Sequence, residues 1–272
     1  MRGISRQSLG AGRARVDELT AGVGADELRR LAGELFPVVH LLAGEPRLRR
    51  IVTDPAVGAD QRAELLGGLL GDRVSASAAA VVEVLVRSAW SRAADIVDAA
   101  DDVAAQVLFA AEERDDALDE VEDELFRFGR ILEREPRLRS ALTDPSLPAE
   151  RKQSLLDALL ESKVRETTRV LVGEVVLHPR GRTIDRALEE YGRLAAARRE
   201  RLVARVRSVV PLTEEQLTRL AEGLAAELGH RVHLNVEIDP DLVGGLTVRI
   251  GDELYDASIA HRLAAVRRLM AG

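Results

Sequence analysis

One stretch of this chain is written twice, ninety residues apart. Glu45-Pro46-Arg47-Leu48-Arg49 returns as Glu135-Pro136-Arg137-Leu138-Arg139, and Thr53-Asp54-Pro55 as Thr143-Asp144-Pro145. Leu65-Leu66 and Leu69-Leu70 match Leu155-Leu156 and Leu159-Leu160, and upstream Glu34-Leu35-Phe36 matches Glu124-Leu125-Phe126. Between 45–70 and 135–160, 13 of 26 positions are identical without a gap. Agreement of that extent at one fixed offset marks a tandem duplication of a unit of about 90–100 residues. Two copies are too few for a capped solenoid and the right length for two small domains.

The period inside each copy is helical. Leu28, Leu31, Leu35, Val38, Val39 and Leu42 share one helix face, as do Leu118, Val121, Leu125, Phe128 and Leu132 in the second copy. Pro37 falls inside the first run and predicts a kink or a later start. Each EPRLR opens a short helix, with Pro in the first turn, where its missing N–H matters least. Thr-Asp-Pro then ends that helix, because the residue before Pro is pushed out of the helical region. Ala59–Leu70 and Ala149–Leu160 read as three-turn amphipathic helices. Ser75–Trp90 and Val164–His178 are nearly apolar all round, so they are buried or await a partner on one side. Thr183–Arg199 closes the second copy. Each copy is a bundle of five or six short helices.

Composition narrows the class. Apolar residues make up 46% and aromatics 3%, a balance that favours helix. Without Cys there is no disulfide scaffold, thiolate metal site or Cys nucleophile. Acidic residues outnumber basic ones, 46 to 39, which argues against nucleic acid as a partner. No apolar run approaches the roughly 20 residues that span a bilayer. Met1 to Gly12 has no apolar signal-type core, so an intracellular chain is expected.

The pattern changes after residue 200. Leu202–Val210 reads as a strand and Thr213-Glu214-Glu215-Gln216 as a capping box. Leu217, Leu220, Leu224 and Leu228 line one face of the helix it opens. Val232, Leu234, Val236 and Ile238 alternate with polar residues as in a half-buried strand. Asp239-Pro240 breaks that strand. A hairpin through Leu246, Val248 and Ile250, Gly251-Asp252, and Leu254-Tyr255 follows. Ser258 then caps a last helix carrying Ile259, Leu263, Val266 and Met270. The expected fold is mainly α: two tandem six-helix-type bundles over 1–100 and 101–200, then a small α+β domain over 201–272.

Chemical motifs are missing. There is no phosphate-loop signature, no nucleophile elbow and no His-Glu-x-x-His. His230 and His233 lie on opposite faces of a strand. The carboxylates from Glu112 to Glu124, interleaved with Arg114, read as a solvated helical face. Gly244-Gly245 reads as a tight turn and Trp90 as core. No residue supports catalysis, and no metal or cofactor is expected.

The run Val236-Glu237-Ile238-Asp239-Pro240-Asp241-Leu242-Val243-Gly244-Gly245-Leu246-Thr247-Val248-Arg249-Ile250-Gly251-Asp252 resembles the signature of the delta subunit of F-type ATP synthases, whose mitochondrial equivalent is the oligomycin-sensitivity-conferring protein. Leu254-Tyr255-Asp256-Ala257-Ser258 and Arg262-Leu263 continue it, with Ala257 where the family has Gly. Val107–Glu113 looks like the family's first helix and Val209–Leu217 like the start of its C-terminal domain. Residues from about 101 to 272 thus match a whole delta subunit, and 1–100 are an extra copy of its helical domain. The resemblance implies a non-catalytic stator in the peripheral stalk, on the cytoplasmic face of the cell membrane and peripheral to it. It implies that the helical domain holds the N-terminal helix of an alpha subunit. A groove for that helix is expected at Val103, Val107, Val164, Thr168, Leu171 and Val175, with its copy-one counterpart near Ala78–Trp90. It also implies that the C-terminal domain holds the C-terminal helix of a b (or b′) subunit, through Gly244, Gly245, Asp256, Ser258 and Arg262. A helical adaptor unrelated to ATP synthase is the alternative.

Overall fold

Helical periodicity carries through into helices with nearly the expected bounds. The computed structural model describes residues 3–201, 203–228, 232–239, 242, 245–250 and 253–256. Its first helices are α1 (Gly3–Thr20), α2 (Ala25–Gly44), α3 (Pro46–Val52), α4 (Ala59–Leu70) and α5 (Ala76–Arg87), with a 3-10 turn at Gly71–Arg73. Next come α6 (Asp95–Arg114), α7 (Leu118–Arg134), α8 (Pro136–Thr143), α9 (Ala149–Leu160), α10 (Glu166–Leu177) and α11 (Ile184–Arg201). Pro37 neither ends nor delays α2, which runs through it for 20 residues. Pro46 and Pro136 each sit in the first turn of their helix. Asp54 and Asp144 close the following turns by accepting the backbone N–H two residues on, at 2.9 and 2.8 Å.

The chain divides into two compact units, Met1–Ala195 and Ala196–Gly272. Both repeat copies lie in the first. Shifted by ninety residues, α2 to α5 fall on α7 to α10, α1 falls on α6, and α6 falls on α11. One helix, α6, is therefore the sixth of the first bundle and the first of the second. Residue 100 lies inside it. Its burial reflects the double duty: Ile96, Ala99, Val103, Ala104, Ala105, Val107, Phe109 and Ala111 are all fully or almost fully buried. α1 and α2 pack on it from the first copy, α7 and α10 from the second. Its apolar residues therefore cover the whole circumference, the pattern expected of an enclosed helix. α1 and α5 also meet closely, at Gly12, where an added Cβ would stand 2.8 Å from Leu85 Cδ2.

The start of α6 is held by charge. Asp95 is 1% exposed and accepts the Ser5 hydroxyl at 2.8 Å and Arg92 Nη2 at 2.6 Å. Burial pushes its carboxyl up, but the Arg92 and Ser5 hydrogen bonds outweigh this and hold it below its ordinary value. A carboxyl depressed in the fold adds stability above its unfolded pKa and loses it as pH falls through the folded one. Asp95→Asn is therefore expected to lower the melting temperature at neutral pH and to narrow the gap from wild type as the carboxylate range is crossed. Thermal melts over an acid pH series check this.

The second unit pairs a sheet with one described helix. Strand β1 (Val203–Ser208) leads into α12 (Glu214–Leu228), then β2 (His233–Ile238), β3 (Leu246–Ile250) and β4 (Glu253–Asp256). The sheet order is β2-β1-β3-β4. β1 runs parallel to β2, which requires the crossover that α12 supplies, and antiparallel to β3. The capping box forms as expected. Thr213 N–H donates to Gln216 Oε1 at 2.9 Å and Gln216 N–H to Thr213 Oγ1 at 3.3 Å. Val206 sits mid-sheet opposite Val236 and Val248, in a core with Ala204, Leu224, Val232 and Ile250. The helix expected from Ser258 lies outside the described residues.

Candidate functional site

Helix α2 packs along α6 and reaches the α10 region through side chains at both of its ends. Two polar clusters tie α2 to the ends of the α6 and α10 region. At one end Glu112, 1% exposed on α6, accepts Arg29 of α2 at 3.2 Å, the Thr167 hydroxyl of α10 at 2.6 Å, and Arg165, which caps α10. Arg29 also pairs with Asp115, and Arg165 reaches Glu120 at 3.1 Å. At the other end His40 Nε2 of α2 lies 2.8 Å from Glu174 Oε2 of α10, and its ring stacks on His178 with centroids 3.6 Å apart. Between these ends Phe36, on the same face of α2 as Arg29 and His40, is 4% exposed. Its counterpart ninety residues on, Phe126 of α7, is 67% exposed. The repeat thus puts the same residue in the same place, and only the first copy finds something to cover it.

The six groove residues expected from the sequence fall beneath this surface. Val103 and Val107 are fully buried on α6; Thr168, Leu171 and Val175 are equally buried on α10. Thr168 donates its hydroxyl to Glu124 at 2.5 Å. Val164 is half-buried at the rim of a cleft shared with Arg29, Glu112 and Arg165. The α10 positions that meet α2 or its partners are Thr167, Glu174 and His178, one helical step away from those expected. The signal that marks them is polar residues interrupting an otherwise apolar helix, read together with Glu112.

Of the carboxylates from Glu112 to Glu124, Asp115, Asp116, Asp119, Glu120 and Asp123 are exposed as expected, and two depart. Glu112 and Glu124 are 1% and 9% exposed, each saturated by donors from the α10 region, where a solvated face was expected. Asp101 is buried in the same way, taking Arg180 at 2.6 Å, Arg182 at 3.0 Å and the Tyr191 hydroxyl at 2.8 Å. Burial, then the Asp101 carboxylate, push the Tyr191 phenol well up. A buried carboxylate ringed by donors fixes helices together and is held in its charged form by them. Trp90 is half-buried and donates its indole N–H to the Leu85 carbonyl at 2.8 Å.

In the second unit Gly245 takes a φ of 84° just before β3, a left-handed conformation suited to Gly. Asp256 ends β4. Gly244, Ser258 and Arg262 lie outside the described residues. Val210 and Ile238 are 60% and 57% exposed. No helix among the described residues is long and apolar enough to cross a membrane.

The family model described as ATP synthase delta (OSCP) subunit matches residues 103–270. Curated relatives extend over the first copy as well. ATP synthase subunit delta of Streptomyces avermitilis is 44% identical over 269 residues, covering 99% of this chain and 98% of its own. The Streptomyces coelicolor protein of the same name is 45% identical over 271 residues, covering 100% and 98%. A chain of the Toxoplasma gondii mitochondrial ATP synthase hexamer aligns to 62% of this chain and 95% of its own, with 18% identity and a TM-score of 0.32.

Proposed function

This chain belongs to the ATP synthase delta (OSCP) subunit family, and from that premise we propose how its parts divide the work of a stator. It is a peripheral-stalk subunit of the F-type ATP synthase, and it holds the catalytic hexamer still while the rotor turns. It catalyses no reaction of its own, and among the described residues its buried carboxylates Glu112, Glu124 and Asp101 are engaged by hydrogen bonds and ion pairs between helices. Its place is beside the membrane, on the cytoplasmic face.

Two helical copies that share α6, rather than parting at residue 100, serve the hexamer, and the module over 201–272 serves the stalk. The N-terminal helix of an alpha subunit binds the first unit by a helix-in-groove mode. The observation that carries its placement is that the α6 and α10 positions expected to line a groove are buried, while α2 reaches the ends of the α10 region through Arg29 and His40. The alpha helix therefore takes the equivalent face of copy one. Positions Ser77, Val84 and Ser88 of that face, counterparts of Thr167, Glu174 and His178, are half-exposed. The C-terminal helix of the b subunit binds the second unit, where exposed Val210 and Ile238 leave apolar area to cover.

Hydrogen–deuterium exchange of the full chain with a synthetic alpha N-terminal peptide tests this. Protection is expected across 76–88, with no change in 25–44. Val84→Glu is expected to weaken the peptide by at least about tenfold, the scale of spoiling one buried side chain in an interface. Faster exchange in 25–44 on binding would mean that the peptide evicts α2 and that the groove near Val103 and Leu171 is the true site.

A further inference from the structure

We propose that His40, Glu174 and His178 form a three-ligand site for a divalent transition ion, Zn2+ in the first instance, that clips α2 to α10. The three side chains come from the two repeat copies, and each offers one donor atom with all three donors inside 4.8 Å of one another. Two imidazoles and a carboxylate suit a borderline ion such as Zn2+, and three protein ligands leave one position for water. At zinc bond lengths of about 2.0–2.1 Å, tetrahedral donors stand roughly 3.4 Å apart, so side-chain rotation alone closes the site. His40 Nε2 and Glu174 Oε2 are already at 2.8 Å. Glu174 is 10% exposed and His40 30%, so an ion can enter from the His40 side.

One carboxylate supplies the charge a cation would meet at this site. Arg180 Nη1 lies 3.8 Å from Glu174, but the Arg180 guanidinium is held by Asp101 at 2.6 Å. Glu174 faces His40 and His178 and supplies the negative charge between them, with Arg180 the one cation beside it among the described residues. One feature must change on binding. The two rings are stacked, with planes 25° apart, and their nitrogen lone pairs lie in the ring planes. Both cannot aim at a single ion until the stack opens. The site is specific to the pairing of α2 with α10. Ninety residues away the corresponding positions are Arg130, Val84 and Ser88, which offer no such set.

The test is calorimetric titration of the metal-free full-length protein with Zn2+ in a buffer that does not coordinate it. One ion per chain is expected. His40→Asn and His178→Asn should each weaken it by at least about tenfold, and the pair should abolish it, while a variant lacking His230 and His233 binds as wild type. Should a His40 or His178 variant fold poorly, the wild-type protein still decides the matter through its imidazole proton resonances. Zinc is expected to shift those of His40 and His178 together as the stack opens. Absence of zinc binding, binding indifferent to His40→Asn, or shifts confined to His230, His233 or His261 would each overturn the site.

Discussion

Glu112→Ala is expected to destabilise the first unit by about 3–5 kcal/mol, the range found when one partner of a buried ionic cluster is removed. The carboxylate is 1% exposed and serves three donors on two other elements. Its loss strands the Thr167 hydroxyl in the interior, which alone costs about 1–3 kcal/mol. Arg29 and Arg165 fare better, at 24% and 29% exposed, and recover some hydration. That places the expected value toward the lower end. Glu120→Ala removes another partner of Arg165, but Glu120 is 63% exposed, and its melting curve is expected to overlie wild type. Denaturant unfolding of both variants checks the contrast. Equal effects would mean that Glu112 acts as one surface charge among many. A second readout follows from geometry: with Glu112 gone, α2 loses its hold at the Arg29 end, so exchange in 25–44 should rise more than in α4 or α9.

The largest single-residue effect is expected at Val206→Asp, which should unfold the second unit outright. Val206 is fully buried in β1, an inner strand of the four-stranded sheet, between Val236 and Val248. An aspartate there must either bury a charge without a partner or take up a proton to avoid it, a penalty of several kcal/mol. A unit this small has little stability to set against such a loss. The consequence is selective. Helical circular dichroism of the first unit and binding of the alpha peptide should persist, while binding of a peptide from the C-terminus of the b subunit disappears. Retention of b binding by an unfolded second unit would remove the assignment of the stalk interface to that unit.

How far the sequence can be read depends on which force sets each feature. Bounds of Ala59–Leu70 and Ala149–Leu160 follow from periodicity and flanking turns, and they match the structure residue for residue. The capping box at Thr213 is a local hydrogen-bond pattern and is equally readable. Glu112 is not. A carboxylate among other carboxylates reads as solvated unless the three donors that bury it are known, and they arrive from residues as far as 83 positions away. The same holds for α2. Its face through Leu28, Leu31 and Leu35 is shared with the second copy and is visible, whereas the roles of Arg29 and His40 appear only once Glu112 and Glu174 stand beside them. α1 escapes a reading by periodicity because its apolar residues are few, Gly and Ser filling positions where α5 and α6 come close. The offset of ninety residues that carries α6 onto α1 is the signal available for it.

A helix held in common has a mechanical consequence. Two domains strung together by a linker bend at the linker, because a few backbone dihedrals there turn more easily than packed side chains slide. Between these two copies no such joint exists. About 30 Å of continuous α-helix, twenty residues long, passes from one bundle into the other with partners on every side. A torque applied to one copy reaches the other through hydrogen bonds aligned along a helix axis, and the first unit responds as one stiff body.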